Sequence, residues 1–451
     1  MDPVGPVHTY RVDVAARSVY SEGAGIARTV PRAVAVASDG QEVVDLVRWA
    51  HERGLPLVPR GSGSGMAGGA VGAGVIVDLS RLNDIGQVDV ARSRVLVGAG
   101  ALRDSVDSAA RAVGLRFPVD PSSGRFCTVG GMASTNAAGP HTLRYGATRA
   151  WVTALDCVFD DGTRAMVRRG VAPDSEVPAI RRFLDGPSEA ILAAPQSLLA
   201  HAGVRKESSG YALAAYARSG ELVDLLVGSE GTLAIIVRVE LALVPVPGAT
   251  SSVLAEFATL EAAVEGASRA RELGAAACEL LDRTFLDVAA RGDANTGIAP
   301  DTEAVLLAEV EGENEDGAST AALALEAAFI ASGATAVRLA MDPATEHELW
   351  SIRHAASPIL ARLDPALRSM QFIEDGAVPP ERLPEYVRGV REALATHGLR
   401  GVIFGHAGDA HAHVNPLIDV DMPDWRDRVA RLMDDVVALT ARLGGTLAGE
   451  H

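Results

Sequence analysis

A chain of 451 residues is too long for one core and implies two or three domains. Its 48% hydrophobic and 22% charged residues are ordinary for a soluble globular protein. No run of 18 apolar residues occurs and the N-terminus lacks a basic-then-apolar leader, so neither a membrane span nor secretion is expected and the cytoplasm is the default. A net charge of −17 without a segregated basic patch argues against nucleic acid. Three scattered cysteines, Cys127, Cys157 and Cys278, fit a reducing compartment and exclude a CxxC cluster.

Ser38-Asp39-Gly40-Gln41 has capping-box spacing and predicts a helix over about 40–53, ended by Gly54. A strand over 55–58 then runs into the tract Arg60-Gly61-Ser62-Gly63-Ser64-Gly65-Met66-Ala67-Gly68-Gly69. Strands follow over 75–79 and 95–97, then an amphipathic helix over 102–113. After Asp120-Pro121-Ser122-Ser123 comes a second small-residue tract, from Thr128 to Gly139. Segments 151–160 and 163–167 flank Asp161-Gly162, a hairpin signal. Residues 168–200 are weakly patterned and read as a surface excursion. Gly228 to Leu233 opens a strand to Val239, with another to Val246 before Pro247-Gly248.

From about residue 250 strand–helix–strand units recur. Strands are expected at 253–257, 277–281, 305–310, 336–339 and 402–404, with helices at 260–273, 318–332 and 381–396. This pattern predicts an antiparallel or mixed sheet with helices on one face. The change of texture divides the chain into a glycine-rich domain over 1–248 and a sheet-plus-helix cap over 249–451.

Gly63-x-Gly65-x-x-Gly68 formally matches a dinucleotide fingerprint, but no long helix follows: small residues continue to Gly74 and the next element is a strand. What the glycines do offer is a run of exposed backbone N–H groups, an anion nest for a pyrophosphate, with Arg60 as a charged donor. Three such turns at strand edges suit an extended cofactor. Late in the chain, His406, Asp409, His411 and His413 crowd behind the apolar run Val402-Ile403-Phe404, read as a strand feeding a loop of ligands, and Glu450-His451 repeats the theme. His411 and His413, two apart, would share a strand face, whereas His406 and His413 would meet through a loop. Spacing alone leaves both pairs open.

The ordered motifs Arg60-Gly61-Ser62-Gly63-Ser64, Asp120-Pro121-Ser122-Ser123, Thr128-Val129-Gly130-Gly131 with Asn136 and Gly139, Tyr145-Gly146 and Gly228-Ser229-Glu230-Gly231-Thr232-Leu233 resemble the FAD signature of the vanillyl-alcohol-oxidase-type flavoproteins. Within them the likeness is to the branch of the glycolate oxidase subunit, D-lactate dehydrogenase and D-2-hydroxyglutarate dehydrogenase, over about residues 20–451. It implies an α+β chain, a two-subdomain FAD-binding domain plus a ferredoxin-like βαβ cap with an antiparallel sheet. It also implies FAD held by Arg60, Gly61, Ser62, Gly63, Ser64, Gly65, Pro121, Ser122, Thr128, Gly130, Gly131, Asn136, Gly139, Tyr145, Gly146, Glu230, Gly231 and Leu233. Ser64 stands where relatives with covalent flavin carry histidine, so non-covalent FAD is implied.

The family pattern GHxGDGNxH falls on His406 and His413 as metal ligands, and its GEHG motif makes Glu450 the third ligand and His451 the catalytic base. Trp350-Ser351-Ile352-Arg353 resembles the family's WxxR element, which implies that Arg353 pairs with a substrate carboxylate and that Ser357 is a second contact. The implied reaction is oxidation of a small 2-hydroxy acid, with hydride to flavin N5, a histidine as base and a divalent cation as Lewis acid; zinc is favoured, and manganese or iron also suits the donors. No substrate lysine of dicarboxylate-oxidising relatives is evident, which favours D-lactate. Electrons are expected to leave to a quinone, a cytochrome or an iron–sulfur domain, with at most peripheral membrane contact. Two departures stand out. Ala410-His411 replaces the usual Gly-Asn, and the chain stops at His451, where relatives continue; the run from Arg205 to Leu213 resembles the large type that carries an iron–sulfur half. The competing reading is a non-catalytic flavin-binding or electron-relay subunit.

Overall fold

The computed structural model describes residues 5–290, 297–354 and 366–450. Its first sheet is parallel, in the order Ala33–Val36, Val75–Asp78, Leu57–Arg60. Parallel strands cannot be joined by a tight turn, and the helix Gly40–Glu52 carries the chain from Ala33–Val36 across to Leu57–Arg60 on the other side of the central strand. Asp39 caps it by accepting N–H bonds from Gln41 and Glu42 at 2.8 and 2.9 Å, and Val43, Val44, Leu46, Val47 and Ala50 form its buried face. The expected strand at 55–58 begins two residues later, because Leu55 N–H still bonds Ala50 O at 2.9 Å to close the helix.

A four-stranded antiparallel sheet lies beside it, in the order Arg94–Gly98, Ile235–Ala242, Val152–Val158, Arg164–Arg168. The hairpin at Asp161-Gly162 forms as expected: Phe159 N–H bonds Thr163 O at 2.9 Å and Gly162 adopts φ +78°. The 168–200 excursion contains two short helices, Pro178–Leu184 and Pro187–Ala193. Each starts on proline, which is tolerated at a first helical position and therefore hides a helix from pattern reading.

Residues from 249 onward build an eight-stranded, wholly antiparallel sheet. Its order is Ala334–Ala340, Ala249–Phe257, Ala304–Gly312, Ala277–Asp282, Arg400–His406, His411–Asp419, Leu367–Ser369, with Gly376–Ala377 also paired to His411–Asp419. Helices Leu260–Glu272, Glu315–Ala331, Leu383–Thr396 and Trp425–Arg442 cover one face, around Phe257, Leu325, Phe329, Tyr386 and Leu432. The expectation of helices on one face only is corrected. Arg283–Ala289 and Pro343–His354 seal the other, where Phe285, Leu286, Leu349 and Ile352 pack on Leu254, Leu281, Leu307 and Phe404. No helix among the described residues is long and apolar enough to cross a membrane.

The two textures are laced together. Arg116 donates to Glu311 at 2.5 Å and to the Tyr145 hydroxyl at 2.8 Å, and Tyr145 donates to Glu311. His141 lies between Asp120 (2.6 Å) and Glu309 (2.8 Å).

Candidate active site

A cavity of about 820 Å³ separates the glycine tracts from the antiparallel sheet. One wall holds Arg60, Gly61, Ser62, Gly63, Ser64, Gly65, Pro121, Ser122, Thr128, Gly130, Gly131, Gly139, Glu230 and Gly231; the other holds Arg353, His406, His413 and Glu450, with Phe404, Glu374, Gln371 and Asn415. Close backbone approach requires the glycines. A Cβ on Gly61 would lie 2.1 Å from Thr128 Oγ1, and one on Gly130 would lie 2.5 Å from Ala99 Cβ. Arg60 braces this wall, bonding Tyr20 O and Ala70 O at 3.4 and 3.2 Å and stacking over the Tyr20 ring at 5.2 Å.

Four of the residues expected on FAD do not line the cavity. Asn136 ends the helix Val129–Thr135 at φ +54° and its Oδ1 accepts Arg149 N–H at 2.9 Å. Tyr145 faces Glu311, Gly146 ends its short helix at φ +72°, and Leu233 is 36% exposed. Ser357 and His451 lie outside the described residues.

The ligand-bearing stretch is a hairpin, which corrects the strand-then-loop expectation. Strand Arg400–His406 turns through Ala407–Asp409 into strand His411–Asp419, with Phe404 opposite His413. The turn returns His413 to His406, and their Nε2 atoms face each other at 3.4 Å. Glu450 completes the group, with Oε1 3.1 Å from His406 Nε2 and Oε2 3.8 Å from His413 Nε2. His411 joins it: the four side chains each offer a ligand atom within 4.8 Å of the others. Asp375 holds His411 Nε2 at 2.6 Å, while the buried His411 Nδ1 has no hydrogen-bond partner.

Outer partners fix each ring. His406 Nδ1 meets Glu279 Oε1 at 2.5 Å and His413 Nδ1 meets Glu374 O at 3.1 Å, which turns both Nε2 atoms inward. Glu279, fully buried, also takes Arg353 Nε at 2.9 Å, and the Arg353 guanidinium lies 4.5 Å over the Phe404 ring. Asp375 accepts the Glu450 N–H with both oxygens, at 3.1 and 2.9 Å. Lys206 donates to Glu450 Oε1.

Burial sets the titration of this cluster against its charges. It disfavours the His406 cation, but Glu279 outweighs it and the imidazole is pushed up to about 9. For His413 burial wins, reinforced by His411, and the ring stays well below the ordinary value. Burial would raise Glu450 and Glu279. Lys206 and then His406 instead hold Glu450 well below the carboxylate range, and His406 with Arg353 brings Glu279 to about 2. The two facing imidazoles are thus shifted in opposite directions, His406 upward by its buried carboxylate partner and His413 downward by burial.

Sequence reasoning passed over Glu279, Asp375, Lys206 and Asn415, whose buried Oδ1 lacks a partner beside the cavity. Two of them left a sequence signal: Glu279 is an acid between apolar residues in the fully buried strand Ala277–Asp282, and Lys206 is the one lysine of the chain.

Two family models match, the FAD binding domain over residues 31–167 and the C-terminal domain of FAD linked oxidases over 246–451. The D-lactate dehydrogenase of Archaeoglobus fulgidus is 29% identical over 421 residues, covering 92% of this chain and 81% of that one. The glycolate oxidase subunit GlcD of Bacillus subtilis is 28% identical over 442 residues, covering 97% and 84%. The D-2-hydroxyglutarate dehydrogenase of Escherichia coli is 28% identical over 463 residues, 96% of this chain but 46% of that one. Among solved structures, 4-ethylphenol oxidase from Gulosibacter chungangensis aligns with a TM-score of 0.71 at 15% identity, over 98% of this chain and 86% of that one; such identity speaks for the fold alone. With the α+β architecture and the glycine-lined cavity, these matches show that the chain belongs to the FAD-linked oxidases and dehydrogenases of the vanillyl-alcohol-oxidase type, in the hydroxy-acid dehydrogenase branch.

Proposed function

We propose that this FAD-dependent oxidoreductase converts a D-2-hydroxy acid, D-lactate above others, to the 2-oxo acid and passes the electrons to an acceptor other than oxygen. The observation that carries this reading is that one cavity wall bears the FAD glycine tracts while the opposite wall bears a guanidinium, two facing imidazoles and a carboxylate. FAD, held without a covalent bond, supplies the redox step. Arg353 binds the substrate carboxylate: among the described residues only its Nε is hydrogen-bonded, which leaves its outer edge for a bidentate pair. Asn415 offers a second polar contact, and His451 is the proposed base. Residues 1–248 form the flavin domain and 249–451 the substrate cap.

His406, His413 and Glu450 would hold a divalent cation, zinc before manganese or iron, which would supply Lewis acidity. The residues fit it. A tetrahedral zinc with Zn–N of about 2.0–2.1 Å sets its ligand nitrogens about 3.4 Å apart, and the two Nε2 atoms stand at 3.4 Å. Glu279 and Glu374 O hold both imidazoles in the tautomer that ligation needs.

The test is anaerobic flavin bleaching by the FAD-loaded chain, offered D- and L-lactate, glycolate and D-2-hydroxyglutarate with a dye acceptor. D-lactate should bleach the flavin fastest. A flavin that no hydroxy acid bleaches would replace this reading with the electron-relay one.

A further inference from the structure

Of the 41 basic residues in this chain, 40 are arginine and one, Lys206, is lysine. That lysine is 3% exposed and its ammonium bonds Oε1 of Glu450, 244 residues away. It arrives on a loop docked against the segment it serves, with Ser208 N–H on Ala448 O at 2.7 Å. Glu450 is therefore fixed three times, by Lys206 at Oε1, by His406 at 3.1 Å on the same oxygen, and by Asp375 at its backbone N–H. Its Oε2, 3.8 Å from His413 Nε2, is the oxygen left to a further ligand.

The choice of lysine has a physical reason. An ammonium is a compact point charge on a flexible stem, whereas a guanidinium is a wide planar fork. The space beside Glu450 is already shared by His406 and His413, and a fork there would occupy both carboxylate oxygens. We propose that Lys206 is a positioning residue of the reaction centre, holding Oε1 of Glu450 so that Oε2 remains presented to a divalent cation between His406 and His413. The inference rests on the metal reading given above. A buried ion pair would also seat the terminal segment without any part in metal binding, and a lysine that merely rivals the cation would weaken it; the experiment separates these.

Because Lys206 is the sole lysine, the chain labelled with [6-13C]lysine gives one 13Cε resonance. In the FAD-loaded chain that resonance should shift on saturation with Zn2+, and Glu450→Gln should abolish the shift. A resonance indifferent to Zn2+ that nevertheless binds would overturn the proposal, and this measurement needs no substitution at 206. In Lys206→Met, Zn2+ affinity should fall about 10- to 100-fold, the usual effect of losing an outer-shell partner, while FAD affinity is retained. Affinity equal to or tighter than wild type would overturn the proposal and leave the metal site standing. Wild type and Glu450→Gln binding Zn2+ alike would instead remove the metal reading, and the inference with it.

Discussion

Arg353→Lys probes the substrate side of the cavity. The guanidinium engages Glu279 through Nε at 2.9 Å and lies over Phe404, so its two terminal nitrogens can meet a carboxylate in parallel. A lysine keeps the charge but offers a single point of contact, and one charge-assisted hydrogen bond is lost, worth about 1.5–3 kcal/mol. With each 1.36 kcal/mol equal to a factor of ten, kcat/KM for the hydroxy acid should fall about 10- to 150-fold. Most of the loss should appear in KM, because the carboxylate is bound alike in ground and transition states. Steady-state assays with D-lactate and a dye acceptor read this directly, with the flavin spectrum as a check that FAD remains bound. A variant whose kcat/KM stays within about threefold of wild type would refute Arg353 as the carboxylate anchor.

Glu279→Gln should weaken metal binding as well as raise KM. The amide oxygen will turn to Arg353 Nε and its NH2 to His406 Nδ1, moving the ring proton to Nε2 where it blocks ligation. A loss of about 10- to 100-fold in Zn2+ affinity is expected by calorimetry, and unchanged affinity would count against the tautomer argument. For His141, burial opposes the charge but Asp120 and Glu309 outweigh it and hold its pKa well above the ordinary value. Its stabilising contribution is complete below the unfolded value near 6.5 and is lost as pH climbs through the folded one. The thermal midpoint of the FAD-loaded chain should therefore fall with rising alkalinity, and less steeply in His141→Gln; equal slopes would refute the assignment. Gly130→Ala places a methyl 2.5 Å from Ala99 Cβ and should cost about 1–3 kcal/mol with weakened FAD binding. Gly65→Ala meets nothing within 4 Å, so its melting temperature should match wild type; equal stability for the two variants would mean that the wall yields.

What could be read in the sequence was whatever local spacing records. Strands such as Ala304–Gly312 and helices such as Leu260–Glu272 carry their own periodicity, and both were expected within two residues at nearly every end. The helices on the second face of the cap were not legible. Arg283–Ala289 has only seven residues, too few to show a stripe, and its burial is decided by the sheet beneath it. The same holds for the site. His406 and His413 lie seven apart on one hairpin and announce themselves, whereas Glu279 reaches His406 across 127 residues and Lys206 reaches Glu450 across 244, through tertiary packing alone. Tyr145 illustrates the opposite case: a residue expected at the flavin, it meets Glu311 of the cap instead.

The turn between the two histidine strands also measures length. Side chains on a strand alternate between faces, so the pairing of Phe404 with His413 is what turns that imidazole toward His406. One residue more or fewer between 407 and 410 would point Ala412 or Val414 inward where His413 now faces His406. Ala410 holds the count at a price in comfort, sitting at φ +54° where a glycine would rest unstrained. The spacing of the histidines is therefore a mechanical dimension of the enzyme as much as a signature of it.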